Sequence, residues 1–368
     1  MSQSLWKIVL NEGLTQTKQR FNSQQLKVFS HLTRCQTQAA GVEVYACDDC
    51  GYQMQALRSC RDRHCPSCQY RSTIKWCEAR RQDILPVVYH HLVFTLPSEI
   101  NGWVSCHPAI IYRLLFESVW QTLSTFGQAK NRLNGQLGML SVLHTWGQTL
   151  VRHIHLHCLV PGGALADNGD WHPAKSNYLF PVKALSRHYR GVFVSRLRQA
   201  KRQGLLDKVP VKVFDDTLNQ LMSKAWVVYS KAATYGHDKL IDYLGRYTRR
   251  IALTPNRLMS VNQNEVQLSY RDYRDGQQKQ LYLTPSELLR RYALHVLPKG
   301  FMRVRYYGFL ANAVRATKLN EIRSALNVVV ILSTDDNKNQ QGTPSCPDCG
   351  QHHWHYVGVY LRHHWQPG

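Results

Sequence analysis

The sequence is short of acidic residues and has no long apolar run. It contains 24 Asp+Glu against 46 Lys+Arg in 368 residues. No apolar stretch approaches the roughly 20 residues that span a bilayer, which excludes a membrane protein. Residues 1–21 have no apolar signal-peptide core, so we expect a cytoplasmic protein. A hydrophobic content of 43% excludes a disordered tail, and the length is enough for two or three domains, each with a core.

The excess of basic residues gives a formal net charge of +22 at pH 7. The natural counter-charge is a polyanion such as DNA or RNA, and we therefore expect the protein to associate with the nucleoid. A basic enzyme with another substrate would have the same balance, so charge alone leaves that alternative open.

The 11 cysteines point to metal binding. An odd count argues against a simple disulfide framework, so we expect a reducing compartment with thiolates available for metal. The sequence has two C-x2-C pairs in its N-terminal part, each of which presents two thiolates from one tight turn. We expect both pairs to share one tetrahedral zinc ion, held by Cys47, Cys50, Cys65 and Cys68.

A second zinc ion is an open alternative in the same region. It would take Cys35, Cys60 and His64, with His31 or Cys77 as its fourth ligand. Thiolate-rich zinc sites are closed and structural, so we expect the module to present basic side chains to a phosphate backbone: Arg58, Arg61, Arg63, Arg71 and Lys75. A further half-site at Cys346 and Cys349, near three histidines, is as plausible as a short tail without metal.

The distribution of apolar residues predicts an α+β protein. Strands are expected at 87–96, 138–146 and 153–160, and turns at 161–163 and 167–170 favour an antiparallel sheet. Helices are expected at the N-terminus, near Tyr70, at 183–202, around 218–226 and at 237–250, with a hairpin at 265–284. The helix at 183–202 has seven basic residues and no acidic one, and with Tyr189 and Phe193 available for base stacking it could track a single strand. A solvated cationic helix explains the same charges.

Three histidines alternate with apolar residues at 153–157. In a strand this places His153, His155 and His157 on one face of the sheet. Two chemistries fit: two histidines and a third group hold a divalent cation that polarises a phosphate, or the middle histidine itself attacks phosphorus, as in histidine-triad nucleotide hydrolases. The local pattern does not decide between them.

Two tyrosines four residues apart, Tyr243 and Tyr247, share one face of the helix predicted at 237–250. The spacing also fits an ordinary core stripe. Three nearby cations, Arg246, Arg249 and Arg250, are suited to holding phosphates beside a bond that a tyrosine attacks. Gly245 between the tyrosines is unfavourable in a helix interior and suggests close backbone approach or a flexible point.

Five ordered blocks resemble one family over nearly the whole chain, the two-tyrosine HUH-endonuclease transposases of rolling-circle insertion sequences (the ninety-one group). They are the cysteine block from Cys35 to Cys68, HLVFTLP at 91–97, HIHLHCLVPGG at 153–163, YLGRYTRRIAL at 243–253 and VLPKGFMRVRYYGFLAN at 296–312. The family usually has proline after the first histidine of the strand, where Ile154 stands here. The alternation is preserved.

The resemblance implies that His155 and His157 bind Mg²⁺ or Mn²⁺, with His91 or His153 as third ligand, and that Tyr243 and Tyr247 are nucleophiles. It implies an antiparallel HUH sheet with the histidines on a central strand and the tyrosine helix across it. The implied reaction cuts and rejoins single-stranded DNA at transposon ends through 5′-phosphotyrosine. The sequence has no helicase-type phosphate loop, so strand displacement would need a host helicase or the replication machinery.

We expect four regions: a zinc-binding DNA-recognition domain (1–82), the HUH nuclease domain (83–262), an α+β extension packed on it (263–332), and a linker with a possible zinc-knuckle tail (333–368). A histidine-triad nucleotidyl hydrolase is the rival enzyme and leaves the tyrosines unexplained. A non-catalytic zinc-ribbon DNA-binding protein is the rival that lacks activity.

Overall fold

The computed structural model describes residues 2–174, 178–233, 245, 252–328, 344–361 and 364–367. The predicted tyrosine helix lies outside these residues except for Gly245, which is helical and buried. The described helices are α1 (Ser2–Thr17), α2 (Ser23–Arg34), α3 (Pro66–Arg81), α4 (Asn101–Cys106), α5 (Pro108–Gln128), α6 (Val182–Arg202), α7 (Val211–Ser223), α8 (Pro285–Ala293) and α9 (Arg315–Ala325). None of them is both long and apolar enough to cross a membrane.

The strands confirm the α+β class and its antiparallel pairing. They are β1 (Val42–Cys47), β2 (Gln53–Leu57), β3 (Tyr89–Thr95), β4 (Gly138–Trp146), β5 (Arg152–Pro161), β6 (Gly163–Leu165), β7 (Trp171–Pro173), β8 (Val228–Ala233), β9 (Leu258–Val261), β10 (Val266–Arg271), β11 (Gln278–Leu283), β12 (Val304–Gly308), β13 (Trp354–Leu361) and β14 (His364–Pro367). The predicted strands at 87–96, 138–146 and 153–160 match β3, β4 and β5. The hairpin expected at 265–284 is β10 and β11.

The central sheet has five antiparallel strands in the order β12-β4-β5-β3-β8, so the histidine strand β5 is in the middle. One face of β5 carries Ile154, Leu156 and Cys158, all of them buried in the main core. The long helices α5 and α6 cover this face, because their apolar stripes at helical spacing meet the period-two apolar side of the strand. The opposite face carries the histidines.

A second core joins segments that are far apart in sequence. Trp6 and Leu10 of α1, Phe29 of α2 and Leu289 and Tyr292 of α8 pack together with the inner side of the β9–β11 sheet. The predicted domain limits stay a prediction, but this core crosses two of them, since it unites the N-terminal helices with the region after residue 263.

Three local expectations differ from the structure. The helix predicted around 218–226 ends at Ser223, and Trp226 lies beyond it, buried, in the connection to β8. Tyr189 and Phe193 are fully buried in the main core, so neither is available for base stacking. The tail also forms β13 and β14, which extend β1 and β2 into a four-stranded sheet of order β14-β13-β1-β2.

Candidate functional site

Three histidines from two adjacent strands meet on the open face of the central sheet. His144 of β4 pairs in register with His155 of β5, and Val142 pairs with His157. One ring nitrogen from each of His144, His155 and His157 lies within 4.8 Å of the others. They line an open cavity of about 310 Å³.

The two HUH histidines are oriented by hydrogen bonds. Nδ1 of His155 lies 2.9 Å from the carbonyl oxygen of His153. A carbonyl only accepts, so Nδ1 carries the proton and Nε2 of His155 keeps a lone pair for a ligand. Burial lowers the pKa of His155 to about 4, with a smaller contribution from the charge of His153. The imidazole is therefore neutral at pH 7, which metal binding requires.

His91 supports His157 from the neighbouring strand. Nε2 of His91 lies 2.8 Å from Nδ1 of His157, and the two rings are nearly parallel, with an angle of 6° between their planes. Burial lowers the pKa of His91 to about 4. This contact places His91 beside His157, and the imidazole grouped with those of His155 and His157 is that of His144.

Sequence reasoning missed His144, although it lies in a strand that was predicted. The signal that could have found it is the alternation of side chains along β4. Leu140, Val142 and His144 lie on one face of that strand, and this is the face that carries the histidines of β5. His153, the other candidate for third ligand, lines the cavity but is outside the group of three nitrogens.

Arg257 was also missed, and it fixes one wall of the cavity. Its guanidinium donates to the carbonyl oxygens of Ser269, Ala252 and Gln148. Ala252 belongs to the tyrosine block at 243–253 and itself lines the cavity. Three acceptors on one guanidinium hold this part of the chain beside the histidines.

Within the tyrosine helix predicted at 237–250, the structure describes one residue, Gly245. A Cβ on Gly245 would lie 2.7 Å from Sγ of Cys77 and 3.3 Å from Cγ2 of Thr73, both on α3. The expectation of close backbone approach is therefore confirmed. Cys77 in turn packs against Tyr89, Leu140 and Leu159 on the histidine face of the sheet. Tyr243, Tyr247, Arg246, Arg249 and Arg250 lie outside the described residues.

The cysteines form two clusters, and their grouping corrects the prediction. The first cluster is Cys35, Cys60, Cys65 and Cys68, with Sγ–Sγ distances of 3.6 Å from Cys35 to Cys65 and to Cys68. The second is Cys47, Cys50, Cys346 and Cys349. The two N-terminal C-x2-C pairs therefore do not share an ion. The distance in sequence between β1 and the tail concealed this partnership.

His64 is a structural residue beside the first cluster and not a ligand in it. Its Nδ1 lies 2.9 Å from Asp62 Oδ1, and its Nε2 accepts from the Leu297 amide at 3.2 Å. Burial favours a higher pKa for Asp62, but hydrogen bonds from His64 and His31 outweigh it and lower that pKa to about 2. His31 is thus paired with Asp62, and Cys77 lies against Gly245, so neither joins a cluster.

The basic residues expected to face DNA are in different situations. Arg61 is exposed, with 78% of its side chain accessible, and lies 3.8 Å from Glu43. Arg63 donates to the carbonyl oxygens of Phe301 and Pro298, and its hydrogen bonds tie the zinc module to the loop before β12. The side chain of Arg71 is outside the described part of the chain.

The comparisons with known proteins identify the class. A family model described as "Putative transposase" matches residues 138–318, and a transposase zinc-binding domain of the IS91 type matches residues 8–96. The chain belongs to the IS91 family of transposases. This membership implies DNA binding with DNA endonuclease and strand-transfer activity, and the zinc-binding domain together with the cysteine clusters supports structural zinc.

Two curated relatives share most of the chain. The chain is 41% identical over 315 residues to "Putative transposase y4qJ" of Sinorhizobium fredii, covering 83% of this chain and 79% of the relative. It is 27% identical over 315 residues to the transposase for insertion sequence element IS801 of Pseudomonas savastanoi pv. phaseolicola, covering 83% of this chain and 74% of that protein.

Proposed function

We propose that the protein is a rolling-circle transposase that cleaves and rejoins single-stranded DNA at transposon ends, with Tyr243 and Tyr247 as nucleophiles. The observation that carries the proposal is the convergence of His144, His155 and His157 in an open cavity whose wall includes Ala252 of the tyrosine block. Gly245, between the tyrosines, contacts Cys77, which packs on the same face of the sheet.

The donor set fits a divalent transition metal. Three clustered imidazoles, with those of His155 and His157 held by further hydrogen bonds, are typical of a metal site. A bound Mn²⁺ or Mg²⁺ would supply Lewis-acid polarisation of the scissile phosphate. Because Mg²⁺ prefers oxygen ligands and this set is all nitrogen, we expect Mn²⁺ to support higher activity than Mg²⁺.

The reaction needs no nucleotide cofactor. The phenolic oxygen of one tyrosine attacks the phosphorus, the bond from phosphorus to the 3′ oxygen breaks, and the freed strand ends in a 3′-hydroxyl. The phenol proton passes to a neighbouring base, a role open to His153, which lines the cavity outside the group of three, and the departing 3′ oxygen takes up a proton. A second tyrosine allows a second strand transfer while the first still holds a 5′-phosphotyrosyl end.

The edge of the sheet next to the histidines suits a DNA strand. Tyr229 and Lys231 of β8 pair in register with Val93 and His91, so they share the histidine face, and both are exposed. A cation and an aromatic ring at this edge can hold a phosphate and stack a base. With Arg61 on the zinc module they give the chain two exposed basic contacts.

The test is a covalent-adduct assay with labelled single-stranded and duplex transposon-end DNA, with and without Mn²⁺, resolved on a denaturing gel. We expect a metal-dependent adduct on single strands that disappears in the double variant Tyr243→Phe/Tyr247→Phe and remains in Tyr273→Phe, a cavity-lining tyrosine outside the block. Nucleotide release without adduct, abolished by His155→Ala and unchanged in the tyrosine variant, would support the histidine-triad hydrolase. Tight DNA binding without any reaction would support the third alternative, a non-catalytic zinc-ribbon DNA-binding protein.

A further inference from the structure

The second cysteine cluster joins the two ends of the chain. Sγ of Cys47 lies 3.6 Å from Sγ of Cys349, and Sγ of Cys50 lies 3.5 Å from Sγ of Cys346. In a tetrahedral zinc site with Zn–S bonds of about 2.3 Å, sulfur atoms are separated by about 3.8 Å. The distances are far too long for disulfides, whose sulfur atoms are about 2.0 Å apart.

Both halves of the cluster have the same backbone conformation. Each half is a C-x2-C-Gly turn, and the amide of Gly51 donates to the carbonyl of Cys47 as the amide of Gly350 donates to that of Cys346. Both glycines have positive φ, 74° at Gly51 and 75° at Gly350. This left-handed conformation favours glycine and turns each pair of thiols towards one point.

The surrounding sheet brings the two turns together. Strand β13 pairs with β1 through Cys47 opposite Trp354, and the amide of Asp48 donates to the carbonyl of His353. Nδ1 of His355 lies 2.5 Å from a carboxylate oxygen of Asp48. Backbone pairing, a hydrogen bond between side chains and four thiols therefore meet at the same end of the sheet.

We propose that Cys47, Cys50, Cys346 and Cys349 hold a zinc ion distinct from the one at the first cysteine cluster, and that this ion clasps the C-terminal tail onto the N-terminal module. The tail is then a part of the zinc-binding module, supplying two of its four sheet strands and half of one metal site. Neither family match includes the tail, since they end at residues 96 and 318. The proposal stands on the geometry of the cluster and is independent of the tyrosine chemistry.

Metal content of the purified full chain tests the clasp. We expect Cys346→Ser/Cys349→Ser to hold one zinc ion per chain fewer than the wild type, and the matched control Cys106→Ser, an exposed cysteine outside both clusters, to hold as many as the wild type. Equal zinc content in the tail variant and the wild type would overturn the proposal. Cobalt titration of the metal-free wild type needs no variant: two equivalents with tetrahedral thiolate absorption are expected, and saturation at one equivalent would refute the second site.

The clasp itself is tested by cutting the chain. A protease recognition sequence inserted in the polar stretch 333–345 allows the tail to be separated covalently from the rest of the protein. We expect the cut tail to co-elute with the zinc-loaded wild-type body in gel filtration and to leave it in Cys346→Ser/Cys349→Ser. A cut tail that stays bound equally well in the variant shows that zinc is not what holds it.

Discussion

Replacing His144 by alanine tests the composition of the metal site most directly. His144 is buried, with 3% of its surface exposed, and contributes one of three clustered imidazole nitrogens. Loss of a hydrogen-bonding partner behind a ligand typically weakens metal binding by roughly 10–100-fold. Loss of a direct ligand should cost more, above about 100-fold, which corresponds to about 3 kcal/mol.

The structure therefore predicts a rank order. His144→Ala should raise the Mn²⁺ concentration for half-maximal adduct formation by more than about 100-fold. His91→Ala, which removes the hydrogen bond to His157, should raise it by about 10–100-fold. His153→Ala should have the smallest effect, because its ring lies outside the cluster.

Two measurements separate binding from folding. Electron paramagnetic resonance of free Mn²⁺ gives the metal affinity without DNA, and the melting temperature reports stability. His188→Ala is the matched control, since its ring contacts Phe126 and Thr122 in the helical layer, away from the cavity. If His144→Ala binds Mn²⁺ like the wild type while His153→Ala or His91→Ala loses the ion, the assignment of His144 is wrong.

Three further predictions concern packing and charge. Gly245→Ala gains about 1 kcal/mol of helix propensity but forces a clash with Cys77 that costs about 1–3 kcal/mol. We therefore expect lower stability and weaker cleavage in the single variant, and recovery of both when Cys77→Ala is added. An unchanged melting temperature in the single variant would contradict the close contact. Tyr189→Phe should be neutral or stabilising with DNA affinity unchanged, because the buried hydroxyl has no hydrogen-bond partner among the residues that the structure describes. Weaker single-strand binding at equal stability would instead support a role for Tyr189 in base stacking. Arg63→Ala should lose about 1.5–3 kcal/mol of unfolding free energy, because its hydrogen bonds to two carbonyl oxygens are lost. Arg61→Ala should melt like the wild type, and the slope of the logarithm of DNA affinity against the logarithm of salt concentration should fall by about 1. The reverse pattern between the two arginines would contradict their assignments.

The sequence determined the elements whose signal is local. Alternation of His153, His155 and His157 with apolar residues placed three imidazoles on one strand face, because side-chain direction in a strand has a period of two. The same reasoning located β3, β4 and the β10–β11 hairpin. Cysteine spacing predicted zinc binding, since a C-x2-C turn presents two thiolates wherever it occurs.

Predictions based on charge and aromatic character alone were wrong where the role of a side chain depends on its position in the fold. Tyr189 and Phe193 lie among basic residues and suggested base stacking, but both point into the core, because an amphipathic helix buries one stripe and exposes the other. Arg63 is chemically as suitable for phosphate as Arg61, yet its guanidinium is used by two carbonyl groups of a distant loop.

Only the tertiary structure decided which distant groups meet. His144 lies beside His155 because β4 pairs with β5, and Cys47 and Cys50 meet Cys346 and Cys349 because β13 pairs with β1, more than 300 residues away in sequence. Local spacing fixes the direction of a side chain relative to its own backbone. The register and order of strands, which fix its neighbours, depend on burying the whole core at once.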